Sequence, residues 1–78
     1  MREKIYDDRN LVIFKDGSKF YIRYDAGSHQ IAIREDEISD KEALQIVKSP
    51  EEATRVLFAL QKRLTLSGIN PYVSNVRL

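Results

Sequence analysis

His29 is the sole histidine of the chain, and Asp25 and Ser28 stand close to it in sequence. Together they could make a proton-transfer pair, half of a metal site, or a hydroxyl nucleophile with its base. Each option lacks a part. A metal site needs three or four ligands, and none follows at suitable spacing. Adjacent residues on a strand point to opposite faces, which separates Ser28 from His29, and no oxyanion-hole motif accompanies them. A solvated turn histidine is the favoured reading. Glu35, Asp36, Glu37 and Asp40 suggest a calcium loop only by composition. They lack the alternating oxygen ligands, the central glycine and the closing glutamate of an EF-hand. Gly17, Gly27 and Gly68 each stand alone, so there is no phosphate-cradling loop or dinucleotide fingerprint. No cofactor or metal is implied, and the chain is not expected to be an enzyme.

One constellation does carry a recognition chemistry. Phe14, Lys19, Tyr21, Arg23 and Arg34, with Val12 among them, mix aromatic and cationic side chains within a strand-rich stretch. On an open sheet such a set could anchor a protein partner, because Tyr and Arg concentrate binding energy at interfaces. It could also stack bases and neutralise phosphates, with Arg55, Lys62, Arg63 and Arg77 as helpers. Alternatively, the N-terminal arm or the C-terminal strand could half cover this face, with long basic side chains lying over the aromatics.

The elements that would position these residues follow from the pattern. Residues 11–15 and 19–24 are apolar-rich runs flanking Asp16-Gly17, a pair suited to a two-residue hairpin turn. With those two as the loop, Ile13 faces Phe20, Leu11 faces Ile22 and Val12 faces Tyr21. Leu11, Ile13, Phe20, Ile22 and Tyr24 then share one face; Val12, Phe14, Lys19, Tyr21 and Arg23 share the other. A third strand over 30–34, pairing Gln30 with Asp25, adds Ile31 and Ile33 to the first face and Gln30, Ala32 and Arg34 to the second. Residues 4–6 could form a short edge strand or belong to a loose arm. Glu35-Asp36-Glu37 reads as a polar exit.

Two helices come next. Ser39 and Glu42 form the first capping-box pattern, opening a short helix that carries Ala43, Leu44, Ile46 and Val47. Ser49, Pro50 and Glu52 open a second helix whose stripe is Ala53, Val56, Leu57, Leu60 and Leu64. Gly68 is placed to end it in a left-handed conformation, with Ile69 as the apolar partner of the cap. Tyr72, Val76 and Leu78 could share a face of a final strand. The expected fold is α+β: a three-stranded antiparallel meander of β-hairpins, packed on one face by two consecutive helices, with an optional C-terminal strand. Its core should join Leu11, Ile13, Phe20, Ile22, Ile31 and Ile33 to Leu44, Val47, Val56, Leu57, Leu60 and Leu64.

Size and charge bound the rest. The 78 residues make one small domain, 1–78, with 42% apolar and 32% charged residues, as suits a globular chain. The longest apolar run, 11–14, is too short to span a membrane, and no signal-peptide pattern opens the chain. Absence of cysteine rules out a disulfide framework and agrees with a cytoplasmic setting. The net charge of +1 hides three blocks: seven cations and five anions in 1–34, two and seven in 35–52, four and none in 53–78. Part of that split reflects helix termini. The near-neutral total weighs against nucleic acid, since domains that bind it usually carry a larger basic excess. The expectation is a small non-enzymatic protein-binding module, of the bacterial or phage adaptor or inhibitor type, able also to self-associate. A small nucleic-acid-binding regulator using the same face is the alternative.

The capping reading has a direct check. Replacing Ser49 by Ala should cost roughly 1 kcal/mol in urea unfolding, while Ser49→Asp should be nearly neutral. Equal, negligible effects would show that Ser49 does not cap the long helix.

Overall fold

In the computed structural model, which describes residues 2–8, 11–27 and 31–76, four strands precede two helices. These are β1 (Arg2–Asp8), β2 (Leu11–Asp16), β3 (Lys19–Asp25), β4 (Ile33–Ile38), α1 (Asp40–Lys48) and α2 (Pro50–Leu66). The sheet is antiparallel throughout in the order β1-β2-β3-β4. The segment around residues 4–6 is thus a full edge strand. It pairs with β2 through a register shift between Lys4 and Tyr6, which leaves Ile5 as the extra residue. The shift turns Tyr6 toward Ile13, where it packs against the core, while Arg2 and Lys4 stay beside Asp16 and Phe14.

The β2–β3 loop is Gly17-Ser18 rather than Asp16-Gly17. Gly17 takes φ +63°, a left-handed conformation that glycine adopts at little cost, and Asp16 pairs across the strands with Lys19. Ile13 therefore faces Ile22, and Phe14 faces Tyr21. This register differs from the expected one by two residues, and an even slip leaves every side chain on its own face. Leu11, Ile13, Ile22 and Tyr24 are buried as expected.

The next hairpin corrects the sequence reading. Asp25 pairs with Ile33, not Gln30, a displacement of three. An odd slip exchanges the two faces. The cause is a wide loop closed by the Asp25 side chain. Its Oδ1 accepts from the N–H groups of Gly27 and Ala32, and the Ala26 N–H donates to the Ala32 carbonyl. These bonds hold the Asp25 carboxyl below its ordinary range. Gln30 lies outside the described residues. Ile31 is 76% exposed instead of buried, and Ile33 faces away from the core beside Asp25. Arg34 moves to the Tyr24 side, and Ile38 enters the core opposite Phe20. Glu35-Asp36-Glu37 is the middle of β4, not an exit.

One buried cluster draws on strands and helices: Leu11, Ile13, Ile22, Tyr24 and Ile38 with Ala43, Ile46, Ala53, Val56 and Leu60. Phe20, Leu57 and Leu64 are partly buried against it. In α1 the inward pair is Ala43 and Ile46, three residues apart; Leu44 and Val47 are rotated out and exposed. Ser39 caps α1 with a complete capping box. At α2 only half the expected box forms. Ser49 Oγ accepts from the Glu52 N–H, but the Glu52 carboxylate turns to Gln45 on α1 and to Arg55. The C-terminus closes as expected, with Gly68 at φ +81° and Ile69 and Gly68 donating to the carbonyls of Leu64 and Thr65. Residues 69–76 form turns and bends rather than a strand. No helix among the described residues is long and apolar enough to cross a membrane.

Leu60 is 1% exposed at the centre of the cluster. Leu60→Ala should cost about 2–5 kcal/mol, enough to unfold much of so small a chain. A melting temperature within a few degrees of wild type would show that Leu60 lies off the core.

Candidate functional site

β2 and β3 present Val12, Phe14, Lys19, Tyr21 and Arg23 on one face, as the alternation of a pleated strand requires. Phe14 and Tyr21 are direct cross-strand partners, with Val12 opposite Arg23. All four are half-buried, and Lys19 is exposed. Arg34, expected beside them, is absent from this face because of the odd displacement of β4. In its place β4 brings Glu35 opposite Arg23 and Glu37 opposite Tyr21.

Two guanidinium groups converge here. Arg2 reaches in from the edge strand, its Cζ 4.2 Å from the centroid of the Phe14 ring and 5.4 Å from that of Tyr21. Arg23 lies 5.4 Å from the Phe14 centroid. Glu35 Oε1 accepts from Arg2 and lies 3.3 Å from Arg23 Nη2. The result is an aromatic pair overlaid by two cations that share one carboxylate. Each cation–π contact at such a half-exposed position is worth about 0.5–1 kcal/mol. Arg23 Nε is buried with no hydrogen-bond partner among the described residues. The face is therefore mixed in charge rather than basic.

Sequence reasoning missed Arg2 and Glu35. The edge strand offered as one option over residues 4–6 stopped short of Arg2, and Glu35 was legible only as part of an acidic exit. The correct signal for both was parity. Once β4 is displaced, Glu35 must face Arg23, and once β1 pairs with β2, Arg2 must share a face with Phe14.

On the other side of the sheet Arg34 and Asp36 form a buried fork. Arg34 Nε and Nη2 donate to the two Asp36 oxygens at 3.1 and 2.9 Å, and the Tyr24 hydroxyl donates to Asp36 Oδ2 at 3.2 Å. Arg34 Nη1 donates to the carbonyls of Val73 (2.7 Å) and Asn70 (3.4 Å). The segment after α2 is thus tied to β4. Asn75 adds a side-chain clamp, accepting from the Glu35 N–H at 2.7 Å and donating to its carbonyl at 2.9 Å, while Ser74 Oγ donates to the Ile33 carbonyl. Hydrogen bonding to Asp36 raises the Arg34 value further, so this guanidinium stays charged.

The remaining candidates do not assemble. Ser28 and His29 lie outside the described residues, and Asp25 is committed to its loop. Glu35 and Asp36 point to opposite faces, as neighbours on a strand must. Among the described residues no group of His, Cys, Asp or Glu is placed to hold a metal ion. Comparison with protein-family models, with curated proteins and with solved structures gives no significant match.

The Tyr24 network makes a pH prediction. Burial first, and then the Asp36 carboxylate, push the phenol from its ordinary 10.0 up to about 12. Because the folded value lies above the unfolded one, the stabilising term is complete below pH 10 and is lost as pH rises toward 12. Absorbance titration at alkaline pH should show a tyrosine ionising near 12, and Tyr24→Phe should remove that late step and flatten the loss of stability across that window. A late tyrosine that persists in the variant would contradict the assignment.

Proposed function

We propose that this is a small non-enzymatic protein-binding module whose helices cover the Leu11–Ile13–Ile22 side of the sheet and whose other side meets the partner. The observation that carries this reading is the ordered cluster of Phe14, Tyr21, Arg2 and Arg23 around Glu35. Aromatic and arginine side chains dominate interface energetics. Holding them in place beforehand lowers the ordering cost of association, about 0.5–1.5 kcal/mol for each mobile side chain. Lys19, exposed at one end of the face, suits the polar rim. With both signs of charge present, the same surface could also meet a second copy through a two-fold axis.

The nucleic-acid alternative draws less support. Arg34 is turned to the other side, Arg2 and Arg23 share Glu35, and Glu37 stands beside Tyr21. A backbone phosphate approaching this face would meet carboxylates.

The test is a partner captured from the native host on wild-type protein and then titrated against variants. Tyr21→Ala should keep the fold and weaken binding by about 1–3 kcal/mol. Arg23→Ala should have a smaller, more salt-dependent effect. Unchanged affinity in Tyr21→Ala would exclude this face. Oligonucleotide binding that falls steeply with salt would instead favour the regulator.

A further inference from the structure

A second surface lies away from the sheet face. α2 and the segment after it enclose a groove of about 330 Å³, lined by Phe58, Gln61, Lys62, Thr65, Leu66 and Tyr72. Three of these are large apolar side chains left open: Phe58 is 66%, Leu66 79% and Tyr72 61% exposed. Single exposed apolar residues are ordinary, but two aromatics and a leucine around one groove are not. The groove has two walls of different origin. One is the α2 stripe Phe58, Lys62 and Leu66, successive residues four apart on the same helix face. The other is Tyr72, held between Asn70 and Val73, whose carbonyls both accept from the buried Arg34 guanidinium.

The charge of the site selects among occupants. Lys62 is the only charged residue in the lining, and no ion pair engages it among the described residues. From residue 53 onward the sequence carries four cations and no anion. Arg55 and Arg63 are already paired with Glu52 and Glu42, and Arg77 lies outside the described residues, so among the described ones Lys62 is left to face a ligand. Apolar contacts therefore stand on either side of one free cation. Phe58 and Leu66 are separated by about 12 Å along the helix axis, close to the spacing of two side chains seven apart on a ligand helix.

We propose that this groove binds an acidic amphipathic helix of a partner protein, its two apolar side chains seating by Phe58 and Leu66 and a carboxylate between them meeting Lys62. A second copy of the chain fits poorly. Pairing this groove with its own copy about a two-fold axis would set Lys62 against Lys62, and the exposed Leu44 on α1 is flanked by Lys41 and Lys48, with Glu52 as the one anion there. An anionic membrane would satisfy Lys62, yet a flat surface leaves a two-walled groove unfilled.

A displayed library of random peptides, roughly 16 residues long, tests this, since helical ligands of that length span such a groove. Selection on wild-type protein, with counterselection on Phe58→Ala, should enrich peptides of net negative charge with apolar residues seven apart. An enriched peptide should lose at least about tenfold in affinity with Phe58→Ala or Tyr72→Ala. Lys62→Glu should reverse the preference toward a copy of the peptide with lysine in place of its acidic residues. All three positions are exposed, and unchanged melting curves will confirm that the variants fold. The proposal is overturned if no Phe58-dependent peptide is enriched, or if the enriched peptides show no acidic excess. Phe58-dependent binding to phosphatidylserine vesicles without peptide binding would overturn it for a membrane. Phe58-dependent dimerisation in sedimentation, without peptide binding, would overturn it for a second copy.

Discussion

The Arg34–Asp36 pair is a charged group buried within a chain of 78 residues, and much of the arrangement exists to make that tolerable. The two side chains are only 5% and 10% exposed. Taking such ions out of water costs several kcal/mol each, and attraction offsets that only when geometry is good and the remaining donors find acceptors. Here the fork is bidentate, Tyr24 donates to the carboxylate, and the spare guanidinium nitrogen finds two carbonyls of the chain beyond α2. That last requirement draws residues 70–75 across the end of β4. Losing either charge would leave its partner buried alone, which typically costs about 3–5 kcal/mol.

From this constraint follows the cover over one edge of the sheet. β4 is an outer strand, and its open backbone groups would invite another chain. Asn75 and Ser74 meet them with side-chain amide and hydroxyl groups. At the opposite edge β1 uses other devices: a register shift at Ile5 and charged side chains at Arg2, Glu3, Lys4, Asp7 and Asp8. Irregularity and charge both discourage continued pairing. Parity links the edges to the face between them. Arg34 and Asp36 point one way, so Glu35 and Glu37 must point the other and meet Arg23 and Tyr21.

How far the sequence disclosed this depends on what kind of information each step needed. Local signals were legible. The caps at Ser39 and Ser49, the left-handed end at Gly68 and the alternation in β2 and β3 each rest on a few neighbouring residues. The first hairpin tolerated a wrong loop because its error was even. The second did not, since its register is set by one carboxylate, Asp25, reaching across its own loop to Ala32, and no periodicity records such a bond. The run Glu35-Asp36-Glu37 was also opaque. Three carboxylates have poor strand propensity, and Glu35 and Asp36 find their long-range partners, Arg2, Arg23, Tyr24 and Asn75, only once the strand is in place. The site suffered in proportion: Phe14, Lys19, Tyr21 and Arg23 were grouped correctly, Arg34 was not, and Arg2 and Glu35 were overlooked.

Arg34 shows why the two proposed surfaces are not independent in origin. Its burial removes a cation from the sheet face and lets Glu35 take the place opposite Arg23. The same burial supplies the anchor that sets Tyr72 against α2. Moving β4 by one residue would carry Arg34 to the sheet face and release the wall of the groove together. Both surfaces therefore hang on the register that Asp25 imposes, although Asp25 belongs to neither. The shape of either proposed surface is in this sense a consequence of how Asp25 reaches across to Ala32, rather than of any motif that its own residues display.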